Sequence, residues 1–451
     1  MGKKWIIITC CIVALITAAI GITLTVQAVD SPPADQTGPY KVGFKANTYY
    51  DSTRSDYAGG PRPIVTFIWY PVDPEIEGEL PAAVYPMNVS GLPGLPDASS
   101  TDFEAYGIDP AYQEVAPSQD GPFPLVVFSP GMNGDSLGYV HIGTRLASHG
   151  FVVAVPTNFD DRVNTQGLPE FYKTLEAYSI GPYLERTRDI EYLLNQLLAE
   201  SQQSTNLLSG TIQPDQIAVS GHSLGGLAAL ALTGGDDSAC DWRAEGMDPN
   251  NIPPEICVPV NPDPRIKAIV PLDPSSYVLK YTEMERIEVP SMIIGQEYSA
   301  LEAAQTGAET LLVRPHAAIQ GDPNYRVDVS GAIHNSFSSY CSYLHILRDK
   351  GFLDDQLLET LKPYNCPPEP FSAAEIENLT TQYMIAFLKI ELVGERGYQE
   401  MLTADYALEN EPLIEFFESE QGDPNTLDED GYFNYFLHQP GSERGTALKD
   451  P

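Results

Sequence analysis

The chain has 451 residues, 43% of them hydrophobic, which is enough for a large buried core and excludes a chain disordered throughout. Its formal net charge of −37 at pH 7, from 62 acidic against 25 basic side chains, excludes a surface built to hold nucleic acid or anionic lipid. Such a charge reads as a solvated acidic shell that keeps the protein soluble.

In chain order, the first feature is "WIIITCCIVALITAAIGITLTV", residues 5–26, an uncharged run behind Lys3 and Lys4. The pattern predicts a segment that inserts in a membrane during export, and Val26-Gln27-Ala28 resembles a small-residue cleavage site. Residues 1–28 are therefore expected to be the signal peptide of a secreted or periplasmic protein. The alternative is an anchor retained on the outer face of the membrane, because the run is long enough to span a bilayer. Beyond it stand Cys240, Cys257, Cys341 and Cys366, an even number that predicts two disulfides without specifying their pairing.

After a short linker, "GPYKVGFKANTYY" and "PIVTFIWYPV" read as two strands of an opening hairpin or meander. From Asp73 to Pro122 the chain is rich in Pro, Gly, Ser and acids without a sustained period, which predicts an insertion and suggests a lid. "FPLVVFSPG", the helical "GTRLASHG" and "FVVAVP" then give strand, helix, strand. Ile190, Leu193, Leu194, Leu197 and Leu198 form an apolar stripe of helical period ahead of the strand "QIAVS". "LGGLAALAL", "IKAIVPL", "VPSMIIG" and "YRVDVSG" continue the alternation, and "AAEIENLTTQYMIAFLKIEL" reads as a closing helix. Apolar strands alternating with helices predict an α/β fold with a mostly parallel central sheet covered on both faces. One catalytic domain is expected over residues 39–400, with insertions at 73–122 and 234–264 and an acidic C-terminal extension over 401–451.

The chemistry concentrates at "QIAVSGHSLGG". Gly221-His222-Ser223-Leu224-Gly225 matches Gly-x-Ser-x-Gly between an apolar strand and a helix, the context in which the serine sits on a strained turn with its hydroxyl exposed. A hydroxyl needs a base to become a useful nucleophile, and the expected chain order is Ser, Asp, His. Among His316, His334, His345 and His438, His334 in "VDVSGAIHNSF" is the choice, a loop histidine between a strand and a helix. His316 precedes another strand, while His345 and His438 sit among apolar or aromatic neighbours and read as structural. His222 reads as a half-buried supporting side chain. For the acid, Asp273 ends "IKAIVPLD" and Glu297 ends "VPSMIIGQE", so both remain open on position; Asp263 and Asp236 lie in loop-like surroundings. The oxyanion hole is expected from the backbone N–H groups of Leu224 and of Met132 in "SPGMNG".

These blocks resemble the plasma-type platelet-activating factor acetylhydrolases and related secreted bacterial hydrolases of dienelactone-hydrolase type. "FPLVVFSPGMNG", "LASHGFVVAVPTNFDDR", "GHSLGG", "IVPLDP", "VPSMIIGQEYSA" and "SGAIHNSFSSY" follow in the same order over about residues 39 to 395. The resemblance implies an α/β-hydrolase fold, a Ser223, His334 and Asp273 triad, and oxyanion donors on Met132 and Leu224. It also implies short-acyl phospholipids or small esters as substrates. Pro130-Gly131 stands where that family often has His-Gly. Cutinase-type enzymes, the alternative, would take their acid near Glu297.

The expected function is a secreted carboxylic ester hydrolase acting on small-molecule or lipid esters, with no cofactor, no metal and no nucleic-acid partner. A non-catalytic binding protein on the same fold is the alternative of another class. "DPNTLDEDG", residues 423 to 431, has leucine at a ligand position of a calcium loop and reads as a solvated acidic turn. No Cys or His group has structural-zinc spacing. Sequons stand at Asn88 and Asn378.

Overall fold

The computed structural model describes residues 33–418 apart from 56–59, 88–100, 105–109, 133, 158–167, 239–257, 277–278, 298–309 and 350. Strands are numbered along the chain: β1 Lys41–Ser55, β2 Pro61–Val72, β3 Val84–Met87, β4 Thr101–Glu104, β5 Ala111–Gln113 and β6 Phe123–Ser129. There follow β7 Val152–Thr157, β8 Ile212–His222, β9 Ile266–Leu272, β10 Ser291–Gln296, β11 Asn324–Val329 and β12 Ile414–Phe417. Ten of them make one sheet in the order β12-β11-β10-β9-β8-β6-β7-β2-β1-β5, and β3 pairs with β4 apart. From β7 to β11 all neighbours run parallel, whereas β2 and β12 join antiparallel.

Apolar runs without polar alternation form these strands because both faces are covered. Along β6, Val126 and Phe128 face one core, with Ile142 and Leu146 of the helix Val140–Ser148 and Met384 and Phe387 of the helix Ala373–Leu388. Leu125 and Val127 face the other, with Leu193 and Leu197 of the helix Leu168–Ser201 and Leu227 and Leu230 of the helix Leu224–Gly234. Alternate residues of one strand thus feed two cores, which is the period-two rule applied to a sandwiched sheet.

Two segments extend the sheet at its edges. The segment 73–122 was expected to be an irregular insertion, but its β5 pairs parallel with β1 at the sheet edge, five strands from β8. Tyr85 of the same segment packs among Phe44, Phe67 and Trp69 and accepts a hydrogen bond from Trp69 Nε1 at 3.0 Å. Aromatic burial, hidden by the surrounding prolines, places its described part against the edge of the sheet. Beyond residue 400, β12 closes the opposite edge against β11, and Phe416 packs on Tyr325 and Tyr383.

Cys341 and Cys366 form a disulfide across 25 residues; Cys240 and Cys257 lie outside the described residues. Closing that loop should stabilise by about 3 to 4 kcal/mol in the chain-entropy picture. A Cys341→Ser, Cys366→Ser double variant is therefore expected to unfold at lower denaturant, and an unchanged midpoint would contradict this. His345 joins the two sulfurs in a cluster spanning 4.8 Å that spacing did not reveal, but sulfurs bonded to one another offer no thiolate. Among the described residues no helix is long and apolar enough to cross a membrane; residues 1–28, His438, Asn88 and the turn 423–431 lie outside them.

Glu377 is buried on the closing helix, with Ser342 Oγ at 3.4 Å, and burial pushes its carboxyl up to about 8. The folded chain therefore keeps a proton that the unfolded chain releases near the ordinary value of 4.5. Stability from this group is complete below that value and is lost as pH rises through about 8. Glu377→Gln should be neutral near pH 4 and more stable than the parent above pH 8, by roughly 2 to 4 kcal/mol. Melting both proteins at pH 4 and pH 9 checks this; a difference independent of pH would refute it.

Candidate active site

Ser223 follows β8 and caps the helix Leu224–Gly234 with φ 56° and ψ −117°, a conformation costing about 1 to 3 kcal/mol for a residue with a side chain. Its neighbours compensate. The Ser223 N–H donates to Leu272 O at 2.9 Å, while Ser223 O accepts from Leu227 N at 3.0 Å and Ser275 N at 3.1 Å. Glycine is obligatory around it because a Cβ on Gly221 would lie 2.6 Å from Ser129 O, and one on Gly225 only 1.9 Å from the same carbonyl. The turn therefore brings β8 and the end of β6 into backbone contact.

Asp273 follows β9 with φ 40°, its N–H donating to Ile294 O at 2.7 Å. His334 begins a short 3-10 turn after β11, and its Nδ1 lies 2.5 Å from Asp273 Oδ2. Gly295 makes room for this carboxylate, since a Cβ there would come within 2.9 Å of Asp273 Oδ1. Glu297 is turned elsewhere: its Oε2 accepts from Ser330 Oγ at 2.6 Å. The His334 side chain is 47% exposed, so its far edge faces solvent while its Nδ1 edge is held by the buried acid.

The serine and the imidazole are neighbours without a hydrogen bond between them. Ser223 Oγ lies 3.2 Å from Ser275 Oγ, and His334 stacks over the adjacent His222 with ring centroids 4.5 Å apart. Hydrogen bonds of this kind often tighten only when substrate is present. His222, expected to be half-buried, is 2% exposed, and burial with the adjacent His334 holds it neutral, well below the ordinary histidine range.

Two backbone donors stand on the segments that follow β8 and β6. Leu224 N–H opens a helix and Met132 N–H lies in the loop after β6; among the described residues neither has a hydrogen-bond partner. A helix N-terminus adds partial positive charge there. The remaining acids and histidines proposed from sequence have other partners or surroundings. Asp263 is paired with Arg265, Asp236 accepts from Tyr183 Oη at 3.0 Å, buried His316 is pushed down to about 4 by desolvation, and His345 adjoins the disulfide. Sequence reading passed over Ser275, Tyr139 and Arg186. A signal existed for Arg186, which falls at the i−4 position of the apolar stripe begun by Ile190 and is wholly buried.

Known proteins are similar to parts of this chain. The family described as "Platelet-activating factor acetylhydrolase, isoform II" matches residues 102–166. Cutinase est2 of Thermobifida alba is 25% identical over 186 residues, 41% of this chain and 45% of that protein. The cutinase of Thermobifida fusca (strain YX) is 23% identical over 193 residues, 43% of this chain and 47% of its own. The chain thus spans about half the length of the curated relatives it matches. A solved ferulic acid esterase from Streptomyces cinnamoneus has the same fold at a TM-score of 0.51 and 20% identity, over 81% of this chain and 93% of that one.

Proposed function

We propose that this α/β hydrolase, which resembles the platelet-activating factor acetylhydrolase isoform II family, cleaves carboxylic esters through an acyl-enzyme. The observation that carries the reading is the buried Asp273 carboxylate 2.5 Å from His334 Nδ1, beside a serine on a strained strand-to-helix turn. Ser223 Oγ turns from Ser275 toward His334 Nε2, gives up its proton there and attacks the ester carbonyl. The N–H groups of Leu224 and Met132 receive the oxyanion, and Asp273 holds the imidazole in the tautomer that accepts at Nε2 and stabilises the imidazolium. The intermediate collapses as His334 returns the proton to the leaving alcohol. Water then attacks the acyl-enzyme by the same route and frees the acid.

Short-acyl esters, including acetylated phospholipids, are the substrates this reading favours, on the family resemblance. The cutinase relatives support a second reading in which a polyester or lipid chain is cut at the same serine. Export to an oxidising compartment is part of the proposal, supported by the Cys341–Cys366 disulfide. Turnover of p-nitrophenyl esters of rising acyl length, beside a short-acyl phospholipid and a polyester film, tests the function and ranks the readings. Ser223→Ala should lower kcat by about a millionfold. A parent protein inert on every ester would favour the non-catalytic alternative instead.

A further inference from the structure

The loop that carries Met132 is held from both sides by side chains to which nothing above gives a role in catalysis. From one side, Arg186 reaches up from the helix Leu168–Ser201 and donates to Pro130 O through Nη1 and to Gly131 O through Nη2, the latter at 2.8 Å. Its helix is fastened nearby by buried ion pairs: Arg62 forks onto Asp189 through Nε and Nη2, each at 2.7 Å, and Arg54 reaches Glu185 at 2.8 Å. From the other side, Gly131 N–H donates to Tyr139 Oη at 2.9 Å, and Tyr139 Oη lies 2.9 Å from His222 Nδ1. His222 Nε2 lies 2.8 Å from the carbonyl oxygen of His334.

The donors in this chain are determined by chemistry. A carbonyl oxygen only accepts, so His222 Nε2 carries the proton. A neutral ring then accepts at Nδ1, so Tyr139 donates its hydroxyl proton to His222 and accepts from Gly131. Burial keeps the phenol protonated and the imidazole uncharged, in agreement with that assignment. The carbonyls of Pro130 and Gly131 are thereby drawn to Arg186, and the Gly131 N–H is committed to Tyr139. Met132 supplies the next N–H along the chain. The fit between these groups is close: a Cβ on Gly131 would lie 3.0 Å from His222 Nδ1, and the ring would have to shift to admit it.

We infer that Tyr139 and His222 are positioning residues, a buried relay that together with Arg186 locks the oxyanion loop to the backbone of His334. The inference rests on the ester-hydrolase reading and deepens it: donor loop, nucleophile turn and base are set relative to one another by one hydrogen-bonded chain. Disturbing the relay should lower kcat while leaving KM little changed, because misplaced donors are felt when negative charge develops on the carbonyl oxygen.

Tyr139→Phe, His222→Gln and His222→Leu, assayed on p-nitrophenyl acetate with thermal melts alongside, test this. Tyr139→Phe should lower kcat about 10- to 100-fold with KM within about twofold. His222→Leu should lose more, and His222→Gln, which restores an amide donor toward His334 O, should recover part of that loss. In parallel, ring-15N histidine labelling of the full chain should show His222 as the neutral Nε2–H tautomer. Folded Tyr139→Phe with the parent's kcat, a protonated or Nδ1–H His222, or equal losses in both His222 variants would overturn the inference alone. A parent protein without esterase activity would overturn the underlying reading and the inference with it.

Discussion

Asp273→Asn is expected to lower kcat/KM about ten-thousand-fold, whereas Glu297→Gln should leave it within about twofold. The asparagine has the shape of the carboxylate, so the fold should tolerate it. Its amide would present a donor to His334 Nδ1, favouring the tautomer whose Nε2 already carries a proton and cannot take one from Ser223. The difference between the two acids comes from their surroundings. Asp273 is 2% exposed, stands 2.5 Å from the imidazole and has space made for it by Gly295. Glu297 instead accepts from Ser330. Steady-state kinetics on one small ester, with melting temperatures for both variants, checks this. A large loss in Glu297→Gln and a small one in Asp273→Asn would reverse the assignment and favour the cutinase-type acid.

Gly225→Ala is expected to be among the most damaging single-methyl changes in the molecule. The added Cβ would lie 1.9 Å from Ser129 O and 2.8 Å from Pro130 O, both backbone atoms that no rotamer change can move. Relieving the clash requires β6 and the helix after Ser223 to separate, which would open the nucleophile turn and shift the oxyanion loop together. A loss of about 4 kcal/mol or more, with little soluble protein, is the expected outcome. Gly351→Ala is the control: its φ of 80° strains any side chain, but nothing lies within 4 Å of the new atom. The left-handed backbone alone should cost it about 1 to 2 kcal/mol. Equal stability of the two variants by denaturant unfolding would refute the close-packing account of the turn.

Much of this fold is legible in the sequence because the central strands are sandwiched. "FPLVVFS" and "SMIIG" need no polar alternation, and they stand out as buried runs between helical stripes. The turn at Ser223 is legible because its glycines recur at fixed spacing around the serine, although the backbone that Gly225 makes room for, at Ser129 and Pro130, lies far off in the sequence. Edges are harder. β5 is only Ala111–Gln113, and β12 is "IEFF" within an acidic stretch, so neither carries enough period to be seen; each exists because a neighbouring strand offers unpaired backbone groups.

The acid stayed open for a physical reason as well. Asp273 and Glu297 end adjacent parallel strands, and which carboxylate turns toward His334 depends on the local φ at Asp273 and on the small Gly295, neither of which has a one-dimensional pattern. Tyr139, His222 and Arg186 act through contacts made across 83, 112 and 56 residues of sequence. Their partners are largely backbone carbonyls and amides, which leave no trace in residue identity. A buried arginine in an apolar stripe is the sort of trace that does remain.

Covalent labelling reports on the reactive serine itself. A fluorophosphonate reacts with a serine only where a base activates the hydroxyl and backbone donors receive the phosphoryl oxygen, so it reads nucleophile, base and oxyanion hole at once without requiring the natural ester. The parent protein should gain one adduct, mapped by peptide mass spectrometry to Ser223. Ser223→Ala should gain none, and His334→Ala should react far more slowly. An unlabelled parent, or an adduct persisting undiminished in Ser223→Ala, would contradict the account.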